Sequence, residues 1–262
     1  MYADLMDSSV ERILKAFDLS VKRMLSMRGL DGRFIVLGSM LIYVWLGVLI
    51  FMNIYDPNNI YLQLIGMVTG FVGLTVIFAF QVILSYRICE HVKLAGYYIS
   101  YARDIISLAS KDVLQEYDEF LEEAYLYKCP HTEYSPLALI LGYLAILSMY
   151  IYIAPLFYAG YLAVLGIFAY ILYDAVVEHQ EIERKVNRLL LKLIGMEDEN
   201  IAFHEPPEFK SIYILTTVLT IGLHLFVWLS RINAYLDVHI VDHRRMYELF
   251  KKRYVSMYLA RS

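Results

Sequence analysis

Three pairs of an acidic residue and a histidine, each close behind an apolar run, are the residues of this chain best suited to chemistry. The pairs are Glu90–His91, Glu178–His179 and Asp242–His243, and His239 lies one helical turn before the last of them. On helical spacing each of these histidines shares a face with apolar residues, so each should point towards neighbouring helices. Histidine is the commonest metal ligand in proteins. The pattern therefore predicts a metal site formed by His91, His179, His239 and His243.

Carboxylates could complete this site as further ligands or as hydrogen-bond partners of the imidazoles. Glu90, Glu178 and Asp237 are the candidates that lie near the histidines in sequence. The spacing matches neither the His-Glu-x-x-His motif of metalloproteases nor the Glu-x-x-His motif of di-iron bundles. Two interpretations stay open. One is a metal or haem centre, and the other is a set of acid–histidine pairs that hydrogen-bond each other where helices leave a membrane.

The sequence carries no signature of a common enzyme class. It has no Gly-x-Ser-x-Gly motif, no phosphate-binding loop and no dinucleotide fingerprint. Asp174 is the only acidic residue near a predicted membrane span, and such residues are the usual mark of ion or proton relays. We therefore expect a protein that is not an enzyme, and the uncharged spans argue against a small-solute channel or transporter.

The elements that must position the histidines are membrane helices. The chain has 262 residues, of which 59% are hydrophobic, and its mean hydropathy is +0.51. A soluble domain carries about 45–50% apolar residues. The excess lies in blocks that are long enough for membrane crossings of about 20 residues each. The predicted fold class is an all-α polytopic membrane protein, and a net charge of -4 gives no basic surface for nucleic acid.

Apolar blocks and breaks divide the chain into seven segments. Pro155 interrupts the second hairpin, because proline ends a helix and permits a tight return. The predicted segments are an N-terminal amphipathic helix (1–32), a first transmembrane hairpin (33–86), a cytosolic helical segment (87–134), a second transmembrane hairpin (135–178), a cytosolic helix and linker (179–209), a fifth apolar segment (210–231) and a C-terminal amphipathic helix (232–262).

The distribution of lysine and arginine predicts the orientation. These residues are frequent before residue 34 and within 87–134 and 180–210, and they are absent from the turns at 54–59 and 153–158. Basic residues of short loops stay in the cytosol, so the N-terminus should be cytosolic. Seven basic residues follow the apolar run 211–230 of the fifth segment, the first of them Arg231. That segment therefore either spans against the rule or forms a re-entrant hairpin bent at residues 220–222, which would keep the C-terminus in the cytosol.

Small residues on the second predicted span favour close helix packing. Gly66 and Gly70 form a Gly-x-x-x-Gly pair, and Gly73 follows them. In lipid such residues let two helix backbones approach closely, either within one chain or between copies in a homo-oligomer. Both alternatives stay open at this point.

Two resemblances add expectations. Residues 214–229 (ILTTVLTIGLHLFVWL), followed by Asp237-Val238-His239, resemble the pattern of DUF4234-type prokaryotic membrane domains over roughly residues 210–249, and this implies a membrane domain without an assigned activity. In size, predicted span count and tyrosine-rich composition, the whole chain is similar to the polytopic membrane subunit of archaeal DNA-import systems. This similarity implies DNA as a cargo. The apolar blocks imply membrane lipid as the surroundings, and the 24 tyrosines against few glutamines and asparagines suggest a thermophilic host.

Three functions are compatible with these patterns. The first is a non-enzymatic, oligomeric membrane subunit that acts as the pore or assembly platform of a translocation apparatus, with a cytosolic ATPase as a partner. The second is a redox or metal-binding membrane protein that uses the four histidines. The third is a small-solute channel or transporter.

Overall fold

The computed structural model describes residues 2–26, 29–56, 58–125, 140, 154–196 and 204–259. Within these residues the protein consists of helices, without strands. The helices are α1 (Tyr2–Leu25), α2 (Arg33–Tyr55), α3 (Ile60–Ala109), α4 (Lys111–Tyr125), α5 (Ala154–Leu193), α6 (Ile212–Leu219) and α7 (Leu223–Leu259). The first arm of the predicted second hairpin falls almost entirely outside the described residues.

Three of the described helices are long and apolar enough to cross a membrane. They are α2, α3 and the part of α5 from Tyr158 to Leu193. The apolar part of α3 is followed by charged sequence in the same unbroken helix, because nothing between Ile60 and Ala109 ends it. The protein is therefore all-helical with apolar helices suited to a membrane, as its sequence predicts.

The glycines of α3 pack against α2. A methyl group at Gly70 would lie 2.7 Å from the ring of Trp45, and one at Gly73 would lie 3.0 Å from the backbone oxygen of Gly38. Distances this short leave no room for any side chain, so glycine permits the close approach of the two helices. At the turn before α3, Asn59 Oδ1 accepts hydrogen bonds from the backbone nitrogens of Tyr61 and Leu62 and caps the helix. Within the described residues the glycine stripe is thus covered by α2 of the same chain.

The fifth apolar segment is interrupted where its sequence suggests a bend. Helix α6 has eight residues, and Ile221 and Gly222 then adopt left-handed backbone conformations with φ of 50° and 94°. Gly222 N donates to Thr217 O at 2.7 Å, which closes the end of α6. Tyr158 Oη donates to Ile221 O at 2.7 Å and fixes this bend against α5. Helix α7 starts immediately afterwards.

Two apolar clusters lie along α3, α5 and α7. One, the core of the apolar half, is completed by α2 and includes Ile77, Leu84, Leu172 and Leu229. The other, the core of the charged half, is completed by α1 and α4 and includes Phe17, Tyr98, Val186, Met246 and Phe250. The outer surface of the apolar half is rich in exposed large hydrophobic side chains on α2, α6 and the first half of α3. A layer of polar side chains separates the two clusters.

Candidate metal centre

Five side chains of metal-ligating type form this layer, which we call the histidine layer. They are His91 of α3, His179 and Glu183 of α5, and His239 and His243 of α7. On each helix they lie between residues of the apolar-half core and residues of the charged-half core. His179 and Glu183 are four residues apart, as are His239 and His243, and this spacing places both members of each pair on one helix face.

The Glu183 carboxylate lies at the centre of the layer. Its Oε2 is 2.6 Å from His239 Nε2 and 2.9 Å from His243 Nε2. Its Oε1 is 3.0 Å from His179 Nε2 and 3.7 Å from His91 Nε2. Ligands that share one transition-metal ion at about 2.0–2.1 Å are separated by about 3 Å, so the spacing within the layer fits coordination of an ion.

All five side chains are buried. Glu183 and His243 are each 1% exposed, and His179, the most exposed of the five, is 7% exposed. The His91 ring centre lies 5.2–5.7 Å from the ring centres of the other three histidines. Burying a carboxylate costs several kcal/mol unless positive charge or hydrogen bonds compensate it. The layer is therefore stable only with hydrogen bonds or positive charge around this carboxylate.

Several lone pairs and ring nitrogens in the layer have no hydrogen bond. Among the residues that the structure describes, none hydrogen-bonds to Glu183 Oε1, His91 Nε2 or His179 Nε2, although all three atoms are buried. His179 Nε2 is close to Oε1 but lies outside the directions in which a hydrogen bond forms. Unsatisfied buried polar atoms are rare in native proteins, and a bound ion is one physical explanation for them.

The two histidines of α7 differ in their proton affinity. Burial favours the neutral ring in both, and it lowers the pKa of His239. At His243 the charge of the Glu183 carboxylate and its hydrogen bond outweigh burial and raise the pKa above its ordinary value. An incoming metal ion has to displace the proton that this carboxylate favours on His243.

Groups around the layer orient its members. Tyr235 Oη lies 3.3 Å from His239 Nδ1, the ring nitrogen that faces away from Glu183. Asp242 is 3% exposed, and its Oδ2 accepts from the backbone nitrogen of His204 at 3.0 Å and contacts His204 Nδ1 at 2.9 Å. Gln180 Nε2 donates to His204 O at 2.8 Å. His204 is thus attached to α5 and α7 beside the layer, and such contacts typically fix ligand orientation.

The structure brings the four sequence-predicted histidines together, but two of the expected carboxylates, Glu90 and Asp237, have other surroundings. Glu90 is exposed, and Asp237 Oδ1 instead accepts a hydrogen bond from Arg87 Nη2 at 2.8 Å. The carboxylate among the imidazoles is Glu183, which the sequence reasoning missed. Residues adjacent on a helix point about 100° apart, so an acid beside a histidine cannot share its face. The available signal was Glu183 itself, an acidic residue one turn after His179 on a face that is otherwise apolar.

A bare ion fits this layer better than haem. The ligand atoms of His91, Glu183, His239 and His243 all lie within 4.8 Å of one another. The carboxylate occupies the space beside each imidazole that a planar macrocycle would need. Four imidazoles and one carboxylate form a donor set that suits Zn²⁺, Fe, Cu or Ni, whereas Mg²⁺ and Ca²⁺ prefer oxygen ligands.

Comparison with known proteins identifies no relative from which a function could be transferred. No protein-family model, curated protein or solved structure matches the chain. The resemblances noted for residues 210–249 and for the whole chain therefore stay predictions, and the geometry of the histidine layer is the basis for a functional argument.

Proposed function

We propose that this protein is an integral membrane protein that binds a transition-metal ion in its histidine layer. The observation that carries the proposal is the convergence of four imidazoles on one buried carboxylate, with distances of 2.6–3.7 Å between Nε2 and carboxylate oxygen. A divalent cation would supply the positive charge that compensates the buried carboxylate, and it would bind the unpartnered nitrogens. With three or four protein ligands, such an ion keeps a position for water or a substrate and acts as a Lewis acid or, if iron or copper, in electron transfer.

The proposed topology places this centre at the cytosolic border of the membrane. Exposed large hydrophobic side chains are dense on α3 as far as Tyr86, and charged residues begin with Arg87, one turn before His91. Helix α1, with its basic residues, packs in the charged half, where the Phe17 ring stacks on Tyr98 at 4.7 Å. The positive-inside rule then assigns the charged half, the N-terminus and the histidine layer to the cytosol.

The C-terminus belongs on the same side in this topology. His204, before the fifth apolar segment, and Asp242, after it, are in direct contact, so the chain enters and leaves the apolar half from one end. The eight residues of α6 extend only about 12 Å, too short for a bilayer core of about 30 Å. The test is a cysteine at position 262 in a chain whose native Cys89 and Cys129 are changed to serine. This cysteine should react with a membrane-impermeant thiol reagent only after cells are opened. Labelling of intact cells would contradict a re-entrant segment.

Metal content tests the main proposal. Protein purified in detergent without chelators should contain at least one transition-metal ion per chain by elemental analysis. Glu183→Gln should lose most of this metal, because it removes the central charge. Glu90→Gln is the matched control, since Glu90 is an exposed acid on α3, and it should retain the metal. Wild-type protein that elutes as a folded species without metal, and does not take up Zn²⁺, Fe²⁺ or Cu²⁺ from solution, would refute the proposal.

A second candidate function is a scaffold in a translocation assembly. The observation that favours it is the size of the charged half, in which α1 and α4 add a helical body that a simple membrane anchor would not need. Co-purification of a cytosolic ATPase in mild detergent would support this function and, with DNA bound to the complex, a role in DNA import. A monodisperse monomer without partners would contradict it. This role and metal binding are compatible, since they use different parts of the molecule.

A further inference from the structure

The histidine layer has two sides, one for each oxygen of the Glu183 carboxylate. On the Oε2 side, His239 Nε2 and His243 Nε2 lie 2.6 and 2.9 Å from the oxygen and 3.3 Å from each other. These three atoms have the separations expected for ligands of one ion. The Oε1 side is formed by His179 at 3.0 Å and His91 at 3.7 Å.

A single ion accounts for four of the five side chains, His91 of the Oε1 side among them, and leaves out His179. The ligand set whose atoms lie within 4.8 Å of one another comprises His91, Glu183, His239 and His243, without His179. An ion held by His239 and His243 would bind Oε2 of Glu183, whereas His179 lies beside Oε1. His179 belongs to the same helix as Glu183, four residues away, and its Nε2 lies 3.0 Å from Oε1.

The unsatisfied atoms are concentrated on the Oε1 side. Glu183 Oε1, His91 Nε2 and His179 Nε2 have no hydrogen bond among the described residues. On the Oε2 side, by contrast, His239 Nε2 is hydrogen-bonded to the carboxylate at 2.6 Å. Three unpartnered ligand atoms around one point, all buried, destabilise the folded protein unless something binds them. A cation on this side would satisfy all three together.

We propose that Glu183 bridges two metal ions, an inference that rests on the proposed metal-binding function. His239, His243 and Oε2 hold one ion, and His91, His179 and Oε1 hold the other. Each ion has three protein ligands and therefore an open position. In two-metal sites the ions lie about 3.5–4 Å apart, a distance that one bridging carboxylate can span.

The charge of such a pair indicates what else binds there. Two divalent cations bring four positive charges to a buried layer in which Glu183 is the only acidic ligand. Burying the excess is costly, so the open positions should take a small anionic oxygen ligand such as hydroxide. A hydroxide or a small oxygen-containing substrate, bound between the ions, is thus the class of ligand that this site would accept.

Metal stoichiometry tests the inference on the full chain in detergent. Wild-type protein dialysed against Zn²⁺ should bind two ions per chain, and His179→Ala should bind one. His224→Ala is the matched control, because His224 lies on α7 outside the layer beside Tyr213, and it should still bind two. One ion in the wild type, with the same value in His179→Ala, would overturn the two-ion inference and leave the proposed function standing. No ion in the wild type would refute the proposed function itself.

A spectroscopic measurement on the wild type keeps the test independent of how the variants fold. Protein loaded with Cu²⁺ should give the electron paramagnetic resonance of two coupled ions, with a half-field transition or a loss of signal relative to total copper. An uncoupled signal that accounts for all bound copper, at one ion per chain, would overturn the inference.

Discussion

The two halves of the bundle have similar cores and different outer surfaces. Both cores consist of interlocking aliphatic and aromatic side chains that are almost fully buried. Outside the apolar half lie exposed hydrophobic residues such as Met40 and Ile54, which are 63% and 65% exposed. Outside the charged half lie ion pairs such as Arg103–Asp118 and Lys192–Glu116. A helical core therefore does not reveal its solvent, whereas the surface around it does.

The comparison also explains where the histidine layer lies. In the apolar half, hydrocarbon is the proposed surroundings, and unpaired polar groups are costly there. In the charged half, water competes for every ligand. Between them, the layer is buried, with apolar residues on both sides, and it is one helical turn from Arg87, the first charged residue of α3. Such a position protects a metal ion from solvent and leaves a short route for loading.

The largest expected effect contrasts one phenylalanine from each core. Phe17→Ala in the charged half should lower the free energy of unfolding by about 3–5 kcal/mol, because it removes a fully buried side chain and leaves a cavity. Phe80→Ala in the apolar half should cost roughly half as much, because in lipid only packing is lost and no hydrophobic transfer is involved. Titration of both variants with denaturing detergent measures the difference. Equal losses would mean that both halves share one solvent.

Metal removal should have the next largest effect. An ion that binds only the folded state, present at about 100 times its dissociation constant, contributes about 2.7 kcal/mol of stability. Treatment with a chelator should therefore lower the melting temperature and reduce amide protection around His239 and His243. The hairpin of α2 and α3 should keep its protection, since it has no ligand before His91. Uniform loss of protection in both halves would contradict a local role of the ion.

Overpacking at the glycine stripe should cost somewhat less. Gly70→Val places side-chain atoms against the Trp45 ring, where even a methyl group would lie at 2.7 Å, and should destabilise the protein by about 1–3 kcal/mol. Gly47→Val is the control on α2, because no atom of the residues that the structure describes lies within 4 Å of its added methyl group. Thermal unfolding monitored by size-exclusion chromatography compares the two. A Gly70→Val variant as stable as Gly47→Val would show that α2 and α3 do not pack this closely.

The smallest effect concerns the surface of the charged half. The hydrogen bond from Arg103 lowers the pKa of Asp118 below its ordinary value, so this pair stabilises the folded state above pH of about 4 and the effect is lost as pH falls through the folded-state pKa. Because the pair is exposed, its contribution should be below about 1 kcal/mol. Asp118→Asn should remove this small dependence of the folding stability on pH. If the stability profile between pH 3 and 7 is unchanged by the substitution, the Arg103–Asp118 pair does not contribute to stability.

The sequence predicts the helices and the four histidines but not the carboxylate between them. Long apolar runs are sufficient to place α2 and the first half of α3, because hydropathy is a local property. The bend at Ile221–Gly222 is also visible locally. The choice among Glu90, Glu178, Asp237 and Glu183 depends on how three helices rotate against one another, which no local pattern specifies.

The glycine stripe shows the same limit. Gly66, Gly70 and Gly73 predict that a second helix approaches α3 closely, and α2 does so through Trp45. The pattern alone does not distinguish a helix of the same chain from one of a second copy, because the packing physics is identical. Only the contacts in the folded chain identify the partner helix.

Helix α3 is one continuous helix of 50 residues, with Gly70 in its first quarter and His91 beyond its middle. These residues are separated by about 30 Å along the helix axis. A tilt of one degree about the Gly70 contact would displace His91 by roughly half an ångström, more than the tolerance of about 0.2 Å for a metal–ligand distance. The close packing of α3 against Trp45 therefore helps to fix the position of an imidazole about 30 Å away, and a change in the tilt of α3 would alter the ligand distances of the proposed metal centre.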